Sequence, residues 1–171
     1  MSAEDIVGAG ERWIPDAEYE KILASVPILC VDLVLLGSDA TVGLIRRSTD
    51  EPLDGWCLIG GAVLRDEPLD RAVERHLRAT LPEMTMMPST LEQRGVVEYF
   101  TQPGIGDFVD RRKHAVSVTF VARGGGGMRV AGEATEFRWV PMADLPMLGF
   151  GFGQGEVLRR ILGEPTPTQR S

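Results

Sequence analysis

Basic residues are in short supply in this chain. Its 171 residues include 18 Lys and Arg against 25 Asp and Glu, for a net charge of −7 and a pI near 4.9. That balance argues against a nucleic-acid partner, whose backbone is bound largely by neutralising phosphates with Lys and Arg. A small phosphorylated ligand is compatible with it, because a local arginine pocket can coexist with an acidic exterior. Cysteine is limited to Cys30 and Cys57, both in apolar runs of strand character. Buried free thiols in a reducing compartment are expected there, ahead of a disulfide or a metal pair. The longest apolar run, Val26 to Leu36, is broken by Asp32 and falls short of the roughly 20 residues that a membrane-spanning helix needs. The first residues carry acids where a signal peptide would carry positive charge, so a cytoplasmic protein without a membrane partner is expected. Linkers and internal repeats are also lacking. The reading is an irregular segment over 1–14, a single domain over 15–162 and a flexible tail over 163–171, with 43% hydrophobic residues to build its core.

What is present reads as alternating elements. Pro15 can open a short helix running to about Ser25, with Tyr19, Ile22 and Leu23 as its apolar face. Val26 to Leu36 should be a buried strand, joined through Gly37-Ser38-Asp39 to a second strand over Thr41 to Arg46. A short strand over Trp56 to Ile59 precedes a turn at Gly60-Gly61. Pro68 to Leu81 then reads as a helix, with Leu69, Val73, Leu77 and Leu81 at helical spacing and Pro82 ending it. Strands are expected over Leu91 to Thr101, His114 to Ala122 and Phe137 to Val140, and helices near Met142 to Leu145 and from about Gly153 to Leu162. This order predicts an α/β fold with a mixed sheet. Gly124 to Gly127 reads as a mobile hairpin tip, since neither a helix nor a Lys-Ser/Thr pair follows to make a phosphate loop.

Residues 55–82 concentrate the chemistry: a glycine turn, one acidic residue and an amphipathic helix. Gly61, Glu67, Arg75 and Leu77 fall in register on the pattern G-x5-E-x7-R-E-U-x-E-E-x-G-U, where U is a bulky aliphatic. On these residues the chain resembles the Nudix superfamily with a degenerate box. His76, Ala79 and Thr80 stand where glutamates belong, and Pro82 where a glycine belongs. Metal-assisted cleavage of a pyrophosphate needs hard oxygen ligands around the cation. Positions 76, 79 and 80 share one helix face, and here they offer an imidazole, a methyl and a hydroxyl. His76 has no partner at metal-ligand spacing, which favours a polar or packing role. Glu67 can act at the site or simply favour the helix N-terminus, and Glu74 can act at the site, be solvated or pair with Arg78. Asp32, on one strand face with Cys30 and Val34, requires a partner such as Arg47 or Arg75. The three could line a polar pocket, or an internal ion pair could hold helix to sheet.

The likeness extends to Pro27 through Val34, Arg46-Arg47, Trp56 to Gly61, Asp66-Glu67, Glu74-Arg75, the strand opening at His114, and Phe137 to Val140. Over roughly 17–162 the chain is similar to the GDP-mannose mannosyl hydrolases, a divergent Nudix branch. That resemblance implies an α/β/α Nudix sandwich, a homodimer with the N-terminal segment as an exchanging element, and cleavage of a nucleotide sugar at the sugar carbon. Its metal ligands would be a loop glycine carbonyl at Gly60, a helix glutamate whose place Thr80 takes, and a glutamine whose place Glu133 takes. The family's arginines fall on Arg47, Arg75 and Ala62, and its general-base histidine on Ala134.

The expectation is therefore a Nudix-type hydrolase of a nucleotide sugar or related nucleoside diphosphate derivative, assisted by Mg²⁺ or Mn²⁺. Gly60, Glu67, Glu74 and Glu133 are the candidate metal ligands, and Glu133 is the group expected to activate water. Asp32, Arg47, Arg75 and His114 are the candidate substrate contacts. The alternative, motivated by the neutral helix face, is a binding or regulatory module that holds its ligand without turnover.

Overall fold

The computed structural model describes residues 14–47, 55–85, 87–126 and 129–163. Most of the irregular N-terminal segment, the tail beyond 163 and part of the four-glycine run lie outside these residues. The elements follow in the order α1 (Asp16–Ser25), β1 (Ile28–Leu36), β2 (Thr41–Arg47), β3 (Trp56–Cys57), β4 (Ile59–Ala62), α2 (Leu69–Thr80), β5 (Glu92–Phe100), β6 (Phe108–Val109), β7 (Ala115–Arg123), β8 (Ala134–Pro141) and α3 (Gln154–Leu162). Two short 3-10 segments, Met142–Met147 and Gly151–Gly153, precede α3. The first of them replaces the short helix expected near Met142 to Leu145.

The strands form one mixed sheet in the order β3-β2-β1-β7-β5-β6, with β4 added to β1 and β8 to β2. β1 lies at its centre, parallel to β7 over its whole length. Successive β1 side chains face opposite sides. Val31, Leu33 and Leu35 join Val73, Leu77 and Leu81 of the α2 layer. Cys30 and Val34 join Val157 and Leu158 of α3. Helices on both faces explain why β1 reads as an apolar run interrupted only by Asp32. The result is an α/β/α sandwich with a mixed sheet, as the sequence predicts.

The other edge of β1 is shared. Residues 30–33 pair with β4, and Leu35 and Leu36 pair with β2. β2 in turn pairs with β3 through Ile45 and Arg46. The sheet forks at this point, and Arg47 stands at the end of β2 beside the fork. Gly60 and Gly61 prove to be strand residues, paired with Asp32 and Val31, and do not form the expected turn. Glycine is required for close approach: a Cβ on Gly60 would lie 2.1 Å from the Val31 carbonyl oxygen, and one on Gly61 would lie 2.6 Å from the His76 ring.

Among the described residues no helix is long and apolar enough to cross a membrane. Cys30 and Cys57 are buried free thiols, and burial pushes both above the usual thiol range.

Candidate functional site

A polar cleft, partly open to solvent, lies beside the fork; Asp32, Arg47, Gly60, Arg112, Lys113 and Gln154 contribute to its lining. Arg47 is a largely enclosed cation in it, with a side chain only 14% exposed. Its Nη2 donates to the Gly60 carbonyl at 2.9 Å and to the Leu58 carbonyl at 3.5 Å. Nη1 stands 3.6 Å from Oε2 of the more exposed Glu133. Glu133 is carried there by the loop before β8, where the Ala131 N–H donates to the Thr80 carbonyl at the end of α2. Three residues singled out in the sequence, Arg47, Gly60 and Glu133, thus meet at one guanidinium.

Arg75 and Glu67 meet each other instead. Arg75 Nε and Nη2 donate to the two Glu67 oxygens at 2.7 and 2.8 Å, and Nη2 also reaches the Ala62 carbonyl at 3.0 Å. Glu67 Oε2 further accepts the Leu64 N–H at 2.9 Å. The forked pair holds the loop between β4 and α2 onto the helix, and the arginine keeps the Glu67 carboxyl below the usual carboxylate range. Glu74 lies on the outer helix surface between Arg71 and Arg78, at 2.9 and 2.8 Å. Neither glutamate lines the cleft. His114 stacks on Phe100, with ring centroids 4.8 Å apart, and is also outside the cleft lining.

His76 Nε2 is 2.9 Å from the Ala62 carbonyl; a carbonyl only accepts, so Nε2 carries a proton there. Burial, which outweighs the bond to Ala62, pushes the ring down to about 4 from its ordinary 6.5. As pH falls from about 6.5 toward 4, the unfolded chain binds a proton that the folded ring refuses, so stability contributed by His76 is lost across that window. The shift corresponds to roughly 3 kcal/mol. His76→Gln is expected to flatten this acid-side loss, as measured by urea unfolding between pH 4 and 7. Parallel profiles for the two proteins would show that the ring protonates freely in the fold.

Asp32 is buried, and its Oδ2 accepts a 2.6 Å hydrogen bond from Ser117 Oγ. Its direct partner is therefore a hydroxyl from the parallel neighbour β7, although Arg47 contributes attraction from nearby. Burial pushes this carboxyl up, against the opposing effects of Ser117, Arg47 and Lys113. Its stability contribution is complete below about 3.8 and lost as pH rises through the raised value, opposite in sense to that of His76. Gln154 completes the polar floor: its Oε1 accepts the Leu58 N–H at 2.7 Å, and its Nε2 donates to the Tyr99 hydroxyl at 3.4 Å.

Residues 9–162 match the family model of DUF4916, a domain of unknown function. The chain belongs to the DUF4916 family. This DUF4916 protein is 33% identical over 109 residues to the low-salt glycan biosynthesis protein Agl8 of Haloferax volcanii, a match covering 63% of this chain and 65% of Agl8. The chain thus spans just under two thirds of that relative. Among solved structures, it is similar to one from Jonesia denitrificans described as a possible asymmetric diadenosine tetraphosphate (Ap4A) hydrolase. That match has 27% identity and a TM-score of 0.69, and it covers 81% of this chain and 94% of the other. The Nudix domain of Shewanella oneidensis NrtR, solved in complex with ADP ribose, matches at 24% identity and a TM-score of 0.65, over 90% and 100% of the two chains. The DUF4916 protein has the Nudix fold.

The divalent cation implied by the Nudix resemblance does not fit the donors present. The Gly60 carbonyl is engaged by Arg47, His76 by Ala62, and Glu67 and Glu74 by arginines. Ala79 and Thr80 provide no charge. Among the described residues, no three His, Cys, Asp or Glu side chains are grouped so as to hold a metal ion. Two further cations of the DUF4916 protein, not among the residues expected from the sequence, line the cleft: Arg112 and Lys113. Arg112 is paired at 3.0 Å with the buried Asp110 and lies 4.7 Å over the Phe152 ring. The signal was there to be found: Arg111-Arg112-Lys113-His114 is a basic run in an otherwise acidic chain. Phe152 has φ of +56°, a conformation uncommon for a bulky residue, and only the folded chain shows it.

Proposed function

We propose that the cleft binds a nucleoside diphosphate derivative, such as a nucleotide sugar or an ADP-ribose-like compound, and holds it without cleaving it. The observation that carries this reading is a division of charge. Arg47, Arg112 and Lys113 line the cleft, whereas the helix face that would assemble a catalytic metal presents His76, Ala79 and Thr80. Arginine forks suit phosphoryl oxygens, and burial disfavours negative charge on Asp32 at the cleft floor. The similar Nudix domain in complex with ADP ribose supports the ligand class.

Hydrolysis is the second reading, favoured by Glu133. Its carboxylate is 57% exposed beside Arg47, where it could take a proton from water. Calorimetry with ADP-ribose, Ap4A, GDP-mannose and UDP-glucose, followed by chromatography of the mixtures, separates the two. Micromolar binding without product is expected. Turnover that falls by about 100-fold or more in Glu133→Gln, the scale of a lost general base, would establish the hydrolase instead.

A further inference from the structure

We infer that the Arg47 guanidinium is a resident cation that takes the place of the divalent metal, so that diphosphate binding by this fold is independent of metal. The inference rests on the ligand class proposed above and adds how that ligand is held. Of the four metal ligands expected from the sequence, Gly60 through its carbonyl and Glu133 through its carboxylate are the two that lie beside Arg47. The structure turns both toward Arg47, at 2.9 and 3.6 Å, and the Leu58 carbonyl adds a third oxygen at 3.5 Å. A guanidinium is held in the manner of an ion, by carbonyl oxygens and a carboxylate.

The surrounding charges agree with this exchange. Mg²⁺ is usually held by one or two carboxylates free to ligate it, together with substrate phosphates. Among the described residues Glu133 is the carboxylate ion-paired with Arg47, while positions 79 and 80 are uncharged. Arg47 cannot leave easily, because it is anchored through the carbonyls of Leu58, just before β4, and Gly60 within it, and its side chain is mostly buried. It nevertheless lines the cleft, and its Nε has no hydrogen-bond partner among the described residues. A guanidinium stays protonated at any working pH and can neutralise phosphoryl oxygens. Unlike a bound metal, it does not generate hydroxide from water, which accords with holding the ligand intact.

Binding of ADP-ribose to the full chain, followed by calorimetry with EDTA and again with excess Mg²⁺, tests the inference alongside titration of Mn²⁺ alone by electron paramagnetic resonance. The wild type is expected to show dissociation constants within about twofold under the two conditions, and no stoichiometric Mn²⁺ site. Arg47→Gln should weaken ADP-ribose at least tenfold in EDTA. Arg47→Lys, which keeps the charge and guards against a folding defect, should bind between the two and remain insensitive to EDTA. Tenfold weaker wild-type binding in EDTA would overturn the inference while leaving the proposed ligand class intact. So would wild-type affinity in a folded Arg47→Gln, or a wild-type Mn²⁺ site abolished by Glu133→Gln. If ADP-ribose and the other nucleotides fail to bind under either condition, the proposed ligand class fails, and the Mn²⁺ titration alone decides whether Arg47 excludes a metal.

Discussion

Gly60→Ala is expected to destabilise the protein by about 3 kcal/mol or more, at the upper end for inserting a methyl group into a packed interior. The added carbon would stand 2.1 Å from the Val31 carbonyl oxygen and 2.7 Å from Asp32 Oδ1. The nearer of these is backbone, so β4 must move away from β1 and disturb the register at Asp32 and Gly60. Gly61→Ala provides the contrast. Its new carbon would meet the His76 ring, a side chain that can rotate at the expense of its bond to Ala62. A smaller loss is expected there. Urea unfolding of both variants checks the comparison; a Gly60→Ala midpoint equal to that of the wild type would show that the two strands are not so closely seated.

Arg75→Met is expected to cost a comparable amount, about 3 kcal/mol, because it leaves Glu67 partly buried and without its charged partner. The side chains are only 17% and 12% exposed, so solvent screening is limited. Adding Glu67→Gln should recover much of the loss, since glutamine removes the stranded charge and can still accept the Leu64 N–H. ADP-ribose affinity, measured where each variant is folded, should change by less than about twofold. A large loss of affinity at wild-type stability would return Arg75 to the ligand-binding role first expected from the sequence.

The architecture was legible because its signals are local. The apolar face of α2 repeats at helical spacing, Pro82 limits it, and β1, apart from Asp32, has the apolar character of a strand covered on both sides. β6 escaped notice because two residues carry no periodicity, and β8 begins before the apolar run that announced it. Gly60-Gly61 suggests a turn because glycine marks both turns and close contacts, and only the pairing with β1 distinguishes them.

The site was legible in its members more than in its connections. Arg47, Glu133, Gly60 and Asp32 are conspicuous residue by residue, and the pairing of Glu74 with Arg78 follows from helix geometry alone. Local spacing could not decide which acceptor each cation would find.

Residue order along the chain settled the succession of strands and helices, the two-sided burial of β1 and the neutral face of α2, since each depends on neighbours a few positions apart. Folding alone settled that Ser117, 85 residues away, faces Asp32, that Glu67 binds Arg75, and that Arg47 lies between Gly60 and Glu133. Hydrogen bonds and ion pairs act over a few ångströms, so partners distant in the chain are chosen only when the parallel β1–β7 pairing and the forked sheet bring them together.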